Sequence, residues 1–398
     1  MLHIGENYQL SAKAISNGLR DALALVLAAP MALDRITLSR FRNHAESRLD
    51  GTAALNLLVG ENGAGKTNVL EAISLFAPGR GLRRAALADM VSASGDGVPS
   101  PAGGFAVSAE LRAGDGGEPV KLGTGVAPDR PGRRIVQVNG AEAPAVALGE
   151  WLAIGWLTPA MDGLFTDSAG ARRRYMDRLA LALDPAHARS ASRYEAALRE
   201  RNRLLAGETE ADPRWLEAIE AQLAEAGAAL ARGRAALVEQ LSTALDTLPD
   251  GPFARPALSY LPGGPTEAAA LAAELARGRE RDRQAQRTLT GPHRDELAVS
   301  MAGKAMPAAA CSTGEQKAML IAITLAHAEL AAAGRPGLLL LDEVAAHLDP
   351  LRREALFARL RAGKAQVWLT GTEPAPFAMI EREAAVWRVA AGAVERVG

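Results

Sequence analysis

The sequence predicts an α/β fold of mixed sheets with flanking helices, interrupted by a helical lobe. Three observations predict it. A glycine-rich loop near residue 60 lies between an apolar strand and a helix, and an all-apolar strand near residue 340 ends in two acids. About 250 residues separate these segments, far more than the roughly 30 of one strand-helix-strand unit, and much of that stretch has helical periodicity.

The first loop matches G-x-x-x-x-G-K-[ST], the pattern of phosphate-binding loops. It consists of Gly60, Glu61, Asn62, Gly63, Ala64, Gly65, Lys66 and Thr67. An incidental glycine-rich turn is the alternative, but the predicted strand at Leu55 to Val59 and helix at 68–76 supply the context that a phosphate loop needs. We therefore expect ATP or GTP, with Lys66 on the β- and γ-phosphates and the Thr67 hydroxyl on Mg²⁺.

A second apolar strand, Gly337 to Leu341, ends in Asp342 and Glu343. Such a strand is typical of the centre of a parallel sheet, and the acids at its end form a Walker B pattern. We expect Asp342 to hold Mg²⁺ together with Thr67. Glu343 is predicted to be the catalytic base that orients and deprotonates the attacking water, beside the catalytic Lys66.

Upstream of this strand, the segment Cys311 to Lys317 (CSTGEQK) begins a helix predicted to run through Ala333, with Ser312 or Thr313 as its N-cap. Free backbone N–H groups and the positive end of the helix dipole favour an anion at such a terminus. A capped helix without a ligand is the alternative, and it would be favoured if the Walker motifs were absent.

The order of these motifs, followed by His347, Leu348 and Asp349, resembles the head of an ABC-type P-loop ATPase. In such heads the signature serine completes the nucleotide site of a second subunit. The resemblance therefore implies a homodimer that forms with ATP, in which Ser312, Gly314 and Asp349 of one subunit meet the nucleotide held by the other.

The long insert is predicted to be helical. Asp212 caps and Pro213 begins a helix with the 3,4 spacing of a heptad seam, and residues 266–287 carry a similar pattern. The seam residues are Leu216, Ile219, Leu223, Ala226, Leu230 and Leu237. The heptad seam spans about three heptads, so we expect a compact lobe rather than a long arm. The predicted division is an ATPase lobe at 31–169 and 286–398 with a helical lobe at 170–285.

Composition agrees with a globular intracellular protein. At 398 residues, 48% of them apolar, the chain is long enough for two or three domains. It has no apolar run of membrane-spanning length, and its single cysteine, Cys311, excludes an intrachain disulfide, so we expect a cytoplasmic protein with no membrane partner. Residues 1–30 differ in character from the rest of the chain, and we interpret them as an N-terminal extension; a non-native origin is the alternative left open.

The 45 basic and 46 acidic residues nearly cancel, giving a net charge of −1. The field of the whole molecule therefore does not attract nucleic acid, and any DNA binding must come from local patches. Arginine clusters occur at 80–84, 172–178, 199–203 and 277–287. Each cluster by itself is more often a solvated helix face, and that alternative stays open.

Further motifs resemble those of the RecF family, from residue 31 nearly to the end. The similar segments are 36–44 (ITLSRFRNH, for L-x-x-F-R-N-Y), 79–83 (GRGLR, for G-R-S-F-R), 158–159 (TP, for S-P-E-D-L), 172–177 (RRRYMD, for R-R-R-F-L-D) and 290–297 (TGPHRDEL, for T-G-P-H-R-D-D-L). The last is the most discriminating. The resemblance implies that Arg42 and Asn43 also contact the nucleotide.

The chain departs from this family pattern at several positions. They are His44 for tyrosine, Cys311 for leucine, and Ala160 and Met161 for the acids after Ser-Pro. An acid, Asp162, is displaced, which weakens the prediction of a contact linking the nucleotide to the helical lobe. Thr370 or Thr372 stands where a transporter has its switch histidine, and weaker sensing of the γ-phosphate by threonine would suit slow hydrolysis.

The resemblance implies an ATPase of DNA replication and repair. It implies slow, DNA-stimulated hydrolysis and binding of double-stranded and gapped DNA, with RecR and RecO acting beside it to load RecA in recombinational repair and the SOS response. The DNA-binding candidates are Arg83, Arg84, Arg172, Arg173 and Arg174. The alternative for these arginines is that they form ion pairs within the chain.

Two other classes are alternatives for the whole protein. A transporter ATPase subunit shares the Walker and signature motifs but has no need of the helical insert or of residues 291–297. A structural ATPase of the SMC type would need hundreds of residues of coiled coil, whereas the insert offers about three heptads.

Overall fold

The computed structural model describes residues 32–92, 103–112, 118–207, 212–248, 251–332 and 334–397. The predicted N-terminal extension at 1–30 lies outside these residues. Within the described ranges, no helix is both long enough and apolar enough to cross a membrane.

The strands are β1 (Ala32–Phe41), β2 (His44–Asp50), β3 (Leu55–Val59), β4 (Phe105–Arg112), β5 (Val120–Val126), β6 (Arg134–Val138), β7 (Ala141–Glu142), β8 (Ala153–Leu157), β9 (Pro256–Leu261), β10 (Glu296–Met301), β11 (Met306–Pro307), β12 (Gly337–Leu341), β13 (Gln366–Gly371), β14 (Ala384–Ala390) and β15 (Ala393–Arg396). The helices are α1 (Lys66–Ser74), α2 (Leu148–Trp151), α3 (Ala169–Leu183), α4 (Ala186–Leu205), α5 (Pro213–Asp246), α6 (Ala268–Arg277), α7 (Arg279–Gln284), α8 (Thr313–Ala331) and α9 (Pro350–Ala362).

These strands form three sheets. An antiparallel sheet has the order β2-β1-β4-β5-β6-β7, and a small sheet has the order β11-β10-β9. The third sheet has the order β15-β14-β3-β13-β12-β8, and its neighbours are parallel except in the β14–β15 hairpin at one edge. In this parallel sheet, β3 from the first part of the chain lies between β14 and β13 from the last part, so neither part can build the sheet alone.

Both faces of the parallel sheet are covered, which is why its central strands are apolar along their length. Leu57 and Leu339 belong to a core shared with α8, whereas their neighbours Leu58 and Leu340 belong to a core shared with α1 and the antiparallel sheet. Successive side chains of a strand point to opposite faces, and here each face has its own core. The strands predicted at 55–59 and 337–341 are confirmed.

Helix α5 is the longest element of the helical lobe. Its 34 residues span roughly 50 Å at about 1.5 Å per residue. Pro213 begins it, as predicted. Leu223 packs with Leu271 of α6 in the core of the helical lobe, whereas Leu237 and Leu241, further along α5, join the core beneath α8. The lobe is thus packed onto the parallel-sheet lobe and does not extend as a coiled coil.

Two parts of the insert differ from the prediction. β9 is a strand inside the stretch predicted to be helical; Leu258 and Tyr260 pack against the core and the strand pairs with β10. A six-residue strand between turns is too short for periodicity to distinguish it from a helical segment. The predicted helix at 266–287 is two short helices, α6 and α7, with Gly278 between them.

A buried ionic cluster fastens the helical lobe to β10. Arg234 of α5 donates to both carboxylate oxygens of Asp177 at 2.8 Å and to Asp295 at 2.7 Å. Asp295 also accepts from the Tyr260 hydroxyl at 2.6 Å and from the backbone N–H of Gly263 at 2.7 Å. Asp177 and Asp295 belong to the RRRYMD and TGPHRDEL segments, so these two motifs meet at the joint between the lobes.

Arg234→Met should destabilise the protein strongly, because it leaves two largely buried carboxylates without their cation. We expect a loss of about 3–5 kcal/mol in the free energy of unfolding, measured by urea denaturation. Burial raises the pKa of Asp177, but hydrogen bonds from His187 and Arg234 outweigh it and hold that pKa below its usual value. This stabilisation is therefore present near neutral pH and is lost as the pH falls through the lowered pKa.

Arg203→Met is the matched control for this prediction. Arg203 pairs with Glu200 one turn away, and its side chain is 62% exposed. Its removal should leave the free energy of unfolding nearly unchanged, because an exposed ion pair contributes little to stability. An equally small loss for Arg234→Met would show that the buried cluster does not hold the lobes together.

Candidate functional site

The loop from Gly60 to Gly65 lies at the carboxyl end of β3, and its glycines are needed for different reasons. A Cβ atom on Gly60 would lie 2.1 Å from the carbonyl oxygen of Val389 on β14, so only glycine allows this close packing. Gly63 and Gly65 have φ of 81° and 118°, the left-handed region that favours glycine. Turns of this kind are what a nest of backbone N–H groups around an anion requires.

Lys66 is the first residue of α1, and its side chain is folded into the loop. Its Nζ donates to the carbonyl oxygens of Gly60 at 2.6 Å and Glu61 at 2.9 Å. Burial lowers the pKa of this ammonium, while the nearby charges of Glu343 and Asp342 act to raise it. The lysine therefore places a compact cation inside the loop, where it suits phosphate oxygens.

Thr67, Asp342 and Thr370 meet at the carboxyl ends of the parallel strands. The Thr67 hydroxyl lies 2.9 and 3.1 Å from the two carboxylate oxygens of Asp342. β13 lies between β3 and β12 in the sheet, and its Thr370 donates to the same carboxylate at 2.8 Å. Burial raises the pKa of Asp342 above its usual value, although the hydrogen bonds from Thr370 and Thr67 act to lower it.

This set of oxygen atoms fits the predicted cofactors. Mg²⁺ prefers oxygen ligands and takes one or two from the protein, with the remainder from phosphates and water. The Thr67 hydroxyl and the Asp342 carboxylate are such ligands, and Lys66 and the loop fit the phosphates of ATP. Among the residues that the structure describes, no group of three or more His, Cys, Asp or Glu side chains forms another metal site.

Glu343, the predicted base, directly follows Asp342. Its φ of 54° is uncommon for a residue other than glycine. Its backbone N–H donates to the Thr370 hydroxyl at 2.8 Å. Such strained conformations persist where surrounding contacts hold them, and they cluster at active sites.

Asn43 and His44 contact the loop from the turn between β1 and β2. The Asn43 amide donates to the carbonyl oxygen of Ala64 at 3.0 Å. His44 is fully buried, and its Nε2 lies 3.1 Å from the carbonyl oxygen of Gly65. Burial lowers the pKa of this imidazole. The histidine that departs from the family pattern thus supports the loop directly.

Arg42 contacts the helix that follows the loop. It donates to the two carboxylate oxygens of Glu71 at 2.9 and 2.8 Å. The Glu71 side chain is fully buried and also pairs with Arg83 at 3.1 Å, and Arg83 donates further to Asn68 at 2.6 Å. Sequence reasoning missed Glu71; its signal is a carboxylate within an otherwise apolar stretch of the helix, VLEAIS.

Ser312, Gly314 and Asp349 have only local partners within the described part of the chain. Ser312 caps α8, and its hydroxyl lies 2.9 Å from a carboxylate oxygen of Glu315 in a capping box. A Cβ atom on Gly314 would meet nothing within 4 Å. Asp349 caps α9 by accepting from the backbone N–H of Arg352 at 3.0 Å. No hydrogen bond within this part of the chain joins these residues to its own nucleotide loop.

Two ion pairs hold the start of α8. Lys304 pairs with Glu315 at 2.8 Å, and hydrogen bonds from Lys304 and Ser312 lower the pKa of Glu315 to about 2. Lys317 pairs at 3.1 Å with Asp162, the acid displaced from the family position. This pair therefore links the segment after β8 to α8.

Three of the arginines predicted to bind DNA have partners within the chain. Arg83 pairs with Glu71, as described above. Arg172 donates to both carboxylate oxygens of Glu296 at 2.6 and 2.8 Å, and Arg173 donates to the carbonyl oxygen of Asp295 at 2.9 Å. These three arginines therefore make intramolecular contacts, the alternative to DNA binding.

The other two candidates, Arg84 and Arg174, are exposed and line a cavity of about 530 Å³ between the lobes, together with Arg80. Within the described ranges, no hydrogen bond or ion pair joins these three side chains to another residue. At the wall of the cavity, the Arg178 guanidinium lies 4.5 Å from the ring centre of Trp156, and burial lowers its pKa to about 10. Four arginines thus line the cavity, together with the acids Asp167, Asp177 and Glu195.

The fold and the site define an ABC-type P-loop ATPase. The family model described as the RecF/RecN/SMC N terminal domain matches residues 32–394. The DNA replication and repair protein RecF of Mesorhizobium japonicum is 49% identical over 362 residues, covering 87% of this chain and 93% of that protein. RecF of Brucella suis is 45% identical over 375 residues, covering 91% of this chain and 95% of that protein. The chain belongs to the RecF family.

A solved structure supports the fold. It is described as the recombination mediator protein RecF-ATP in the RecFOR pathway, and its TM-score is 0.78 at 23% sequence identity. The match covers 93% of this chain and 98% of that one. The predicted fold class, an ABC-type ATPase head with an inserted helical lobe, is confirmed.

Lys66→Met should weaken ATP binding by roughly 100-fold or more, because it removes the charge that faces the phosphates. Lys66→Arg should bind ATP but hydrolyse it poorly, since a planar guanidinium does not replace a compact ammonium. Titration with a fluorescent ATP analogue measures both affinities, and Lys121→Met, at an exposed lysine in β5, is the control. Wild-type affinity in Lys66→Met would remove the loop from this role.

Proposed function

We propose that this protein is a DNA-repair ATPase whose subunits dimerise with ATP and clamp double-stranded DNA near single-strand gaps. The observation that carries the nucleotide site is the contact of Thr67 with Asp342, two residues 275 positions apart. In this proposal Lys66 and the loop hold the phosphates, Thr67 and Asp342 hold Mg²⁺, and Glu343 takes a proton from the attacking water. Bound Mg²⁺ neutralises charge on the phosphoryl oxygens.

Ser312, Gly314 and Asp349 act in trans in this proposal. Their support is that each has only local partners within the described residues, and that the start of α8 is open at Gly314. A helix N-terminus with a serine cap favours an anion, and the nucleotide of a second subunit supplies one. The Ser312 hydroxyl then exchanges its bond to Glu315 for a phosphate oxygen of the partner's nucleotide.

The helical lobe favours this assignment over both alternative classes, because a transporter subunit has no need of such a lobe and a structural SMC-type ATPase needs a far longer one. It is packed onto the parallel-sheet lobe through α5 and the Arg234 cluster, and so does not supply the long arm of a structural SMC-type ATPase. Family membership supports the remaining part of the proposal, in which RecR and RecO act with this protein to load RecA at gaps during recombinational repair and the SOS response.

Dimerisation and DNA binding should both require ATP. Sedimentation velocity should show monomers without nucleotide and dimers with ATP. Ser312→Arg should bind ATP with wild-type affinity but remain monomeric, because the added side chain blocks a site that belongs to the partner. Glu343→Gln should accumulate the ATP-bound dimer, because nucleotide binding persists while the base is lost.

Each part of this proposal has a result that would contradict it. Loss of ATP binding by monomeric Ser312→Arg would show that the signature serine acts within its own chain. Rapid hydrolysis by Glu343→Gln would show that another group activates the water. DNA binding at wild-type strength without nucleotide would refute the ATP-dependent clamp.

For DNA, we favour the arginine cavity between the lobes as the contact surface. Arg80 and Arg84 reach it from the segment after α1, and Arg174 reaches it from α3. Because these three cations lack a hydrogen bond or ion pair to any described residue, they are available to phosphates, whereas Arg172 is held by Glu296. Contacts of this kind carry no sequence information, so binding should be non-specific and should weaken steeply with salt.

Reversing the charge at Arg84 and Arg174 (Arg84→Glu with Arg174→Glu) should weaken DNA binding in ATP. The slope of log affinity against log salt should fall by about 2, because two phosphate contacts are lost. Fluorescence anisotropy with a gapped duplex measures it, and ATPase activity without DNA should stay unchanged. Arg130→Glu with Arg382→Glu, at exposed arginines outside the cavity, is the matched control. An unchanged slope in the cavity variant would place the DNA contact elsewhere.

A further inference from the structure

Thr370 occupies a position that the nucleotide loop and the Walker B acids both depend on. It is the penultimate residue of β13, between β3 and β12, and is only 1% exposed. Its hydroxyl donates to Asp342 Oδ1 at 2.8 Å and accepts from the backbone N–H of Glu343 at 2.8 Å. One side chain thus contacts both the expected magnesium ligand and the residue expected to be the base.

The number of hydrogen bonds that a hydroxyl can donate limits the role of Thr370. A threonine hydroxyl has one hydrogen to donate. The Thr370 hydroxyl donates that hydrogen to Asp342, because a carboxylate can only accept. The backbone N–H of Glu343 then donates to a lone pair of the same hydroxyl oxygen. No donor is left for a γ-phosphate, and the side chain is buried. The structure therefore favours a different role for Thr370 from the phosphate sensing considered from the sequence.

Glu343 needs such a partner. Its φ of 54° is in the left-handed region, which residues other than glycine rarely adopt. The hydrogen bond from its backbone N–H to Thr370 is a contact that holds this conformation. Asp342 has a second hydroxyl partner in Thr67, but Thr67 is itself assigned to the metal. Thr370 is thus the partner of Asp342 that has no other assigned role.

We propose that Thr370 is a positioning residue that sets the Asp342 carboxylate and the Glu343 backbone relative to each other. The inference rests on the proposed function, since it takes Asp342 as the magnesium ligand and Glu343 as the base. It adds that the base is aimed by a residue of the neighbouring strand. Outer partners that orient a metal ligand typically contribute 10- to 100-fold to metal affinity or activity.

The test compares Thr370→Val, which keeps the shape but removes the hydroxyl, with Thr370→Ser, which keeps the hydroxyl. Amide hydrogen exchange at Glu343, measured without any ligand, should become at least roughly 10-fold faster in Thr370→Val. With a non-hydrolysable ATP analogue, Mn²⁺ binding followed by electron paramagnetic resonance should weaken by roughly 10-fold, and kcat should fall by roughly 10- to 100-fold with KM nearly unchanged. Thr370→Ser should restore all three.

Several outcomes would overturn the inference. Wild-type amide exchange and wild-type Mn²⁺ affinity in Thr370→Val would show that the hydroxyl positions neither residue. Equal defects in Thr370→Ser and Thr370→Val would assign the effect to side-chain packing at this position, because Thr370→Ser keeps the hydroxyl. If Thr370→Val does not fold, Thr370→Cys, with its weak donor, replaces it. Failure of the wild type to hydrolyse ATP would instead refute the proposed function, and the amide exchange would still test Thr370.

Discussion

The carboxylate of Asp342 is where the two ends of the chain become one site. Thr67, which follows β3, and Thr370, at the end of β13, both lie within hydrogen-bond distance of it. This contact exists because the parallel sheet has the order β3-β13-β12, so a strand from the end of the chain lies between the loop strand and the Walker B strand. The insert between β8 and β12 can be large because both strands are neighbours in the sheet.

The helical lobe also positions the helix that begins after the signature serine. The signature serine, Ser312, caps α8, which packs against α3 and α5. The His327 imidazole on α8 lies 3.0 Å from the carbonyl oxygen of Leu179 on α3. The Arg234 cluster joins α5 to α3 and to Asp295 before β10, and the Lys317–Asp162 pair joins the start of α8 to the segment after β8. α8 is therefore held by the helical lobe as well as by the sheet, and Ser312 at its N-terminus is placed with it.

The arginines show where sequence pattern stops being informative. Arg83 and Arg84 are neighbours, yet Arg83 pairs with the buried Glu71 and Arg84 lines the cavity between the lobes. Arg172 and Arg174 differ in the same way. A run of cations predicts a positive patch, but which member pairs with a carboxylate depends on distant residues such as Glu296, whose position comes from the fold. The pattern of charges alone leaves both outcomes possible.

What the sequence by itself determined are features made by neighbouring residues. The phosphate-type loop, the apolar strands at 55–59 and 337–341, and the Ser312 and Asp212 caps depend on short-range turns, apolar runs and capping side chains. The tertiary structure decided the features that need distant partners: the strand β9, the support of the loop by His44, and the double contact of Thr370. Each of these depends on which strands lie side by side, and that order is set by packing across the whole chain.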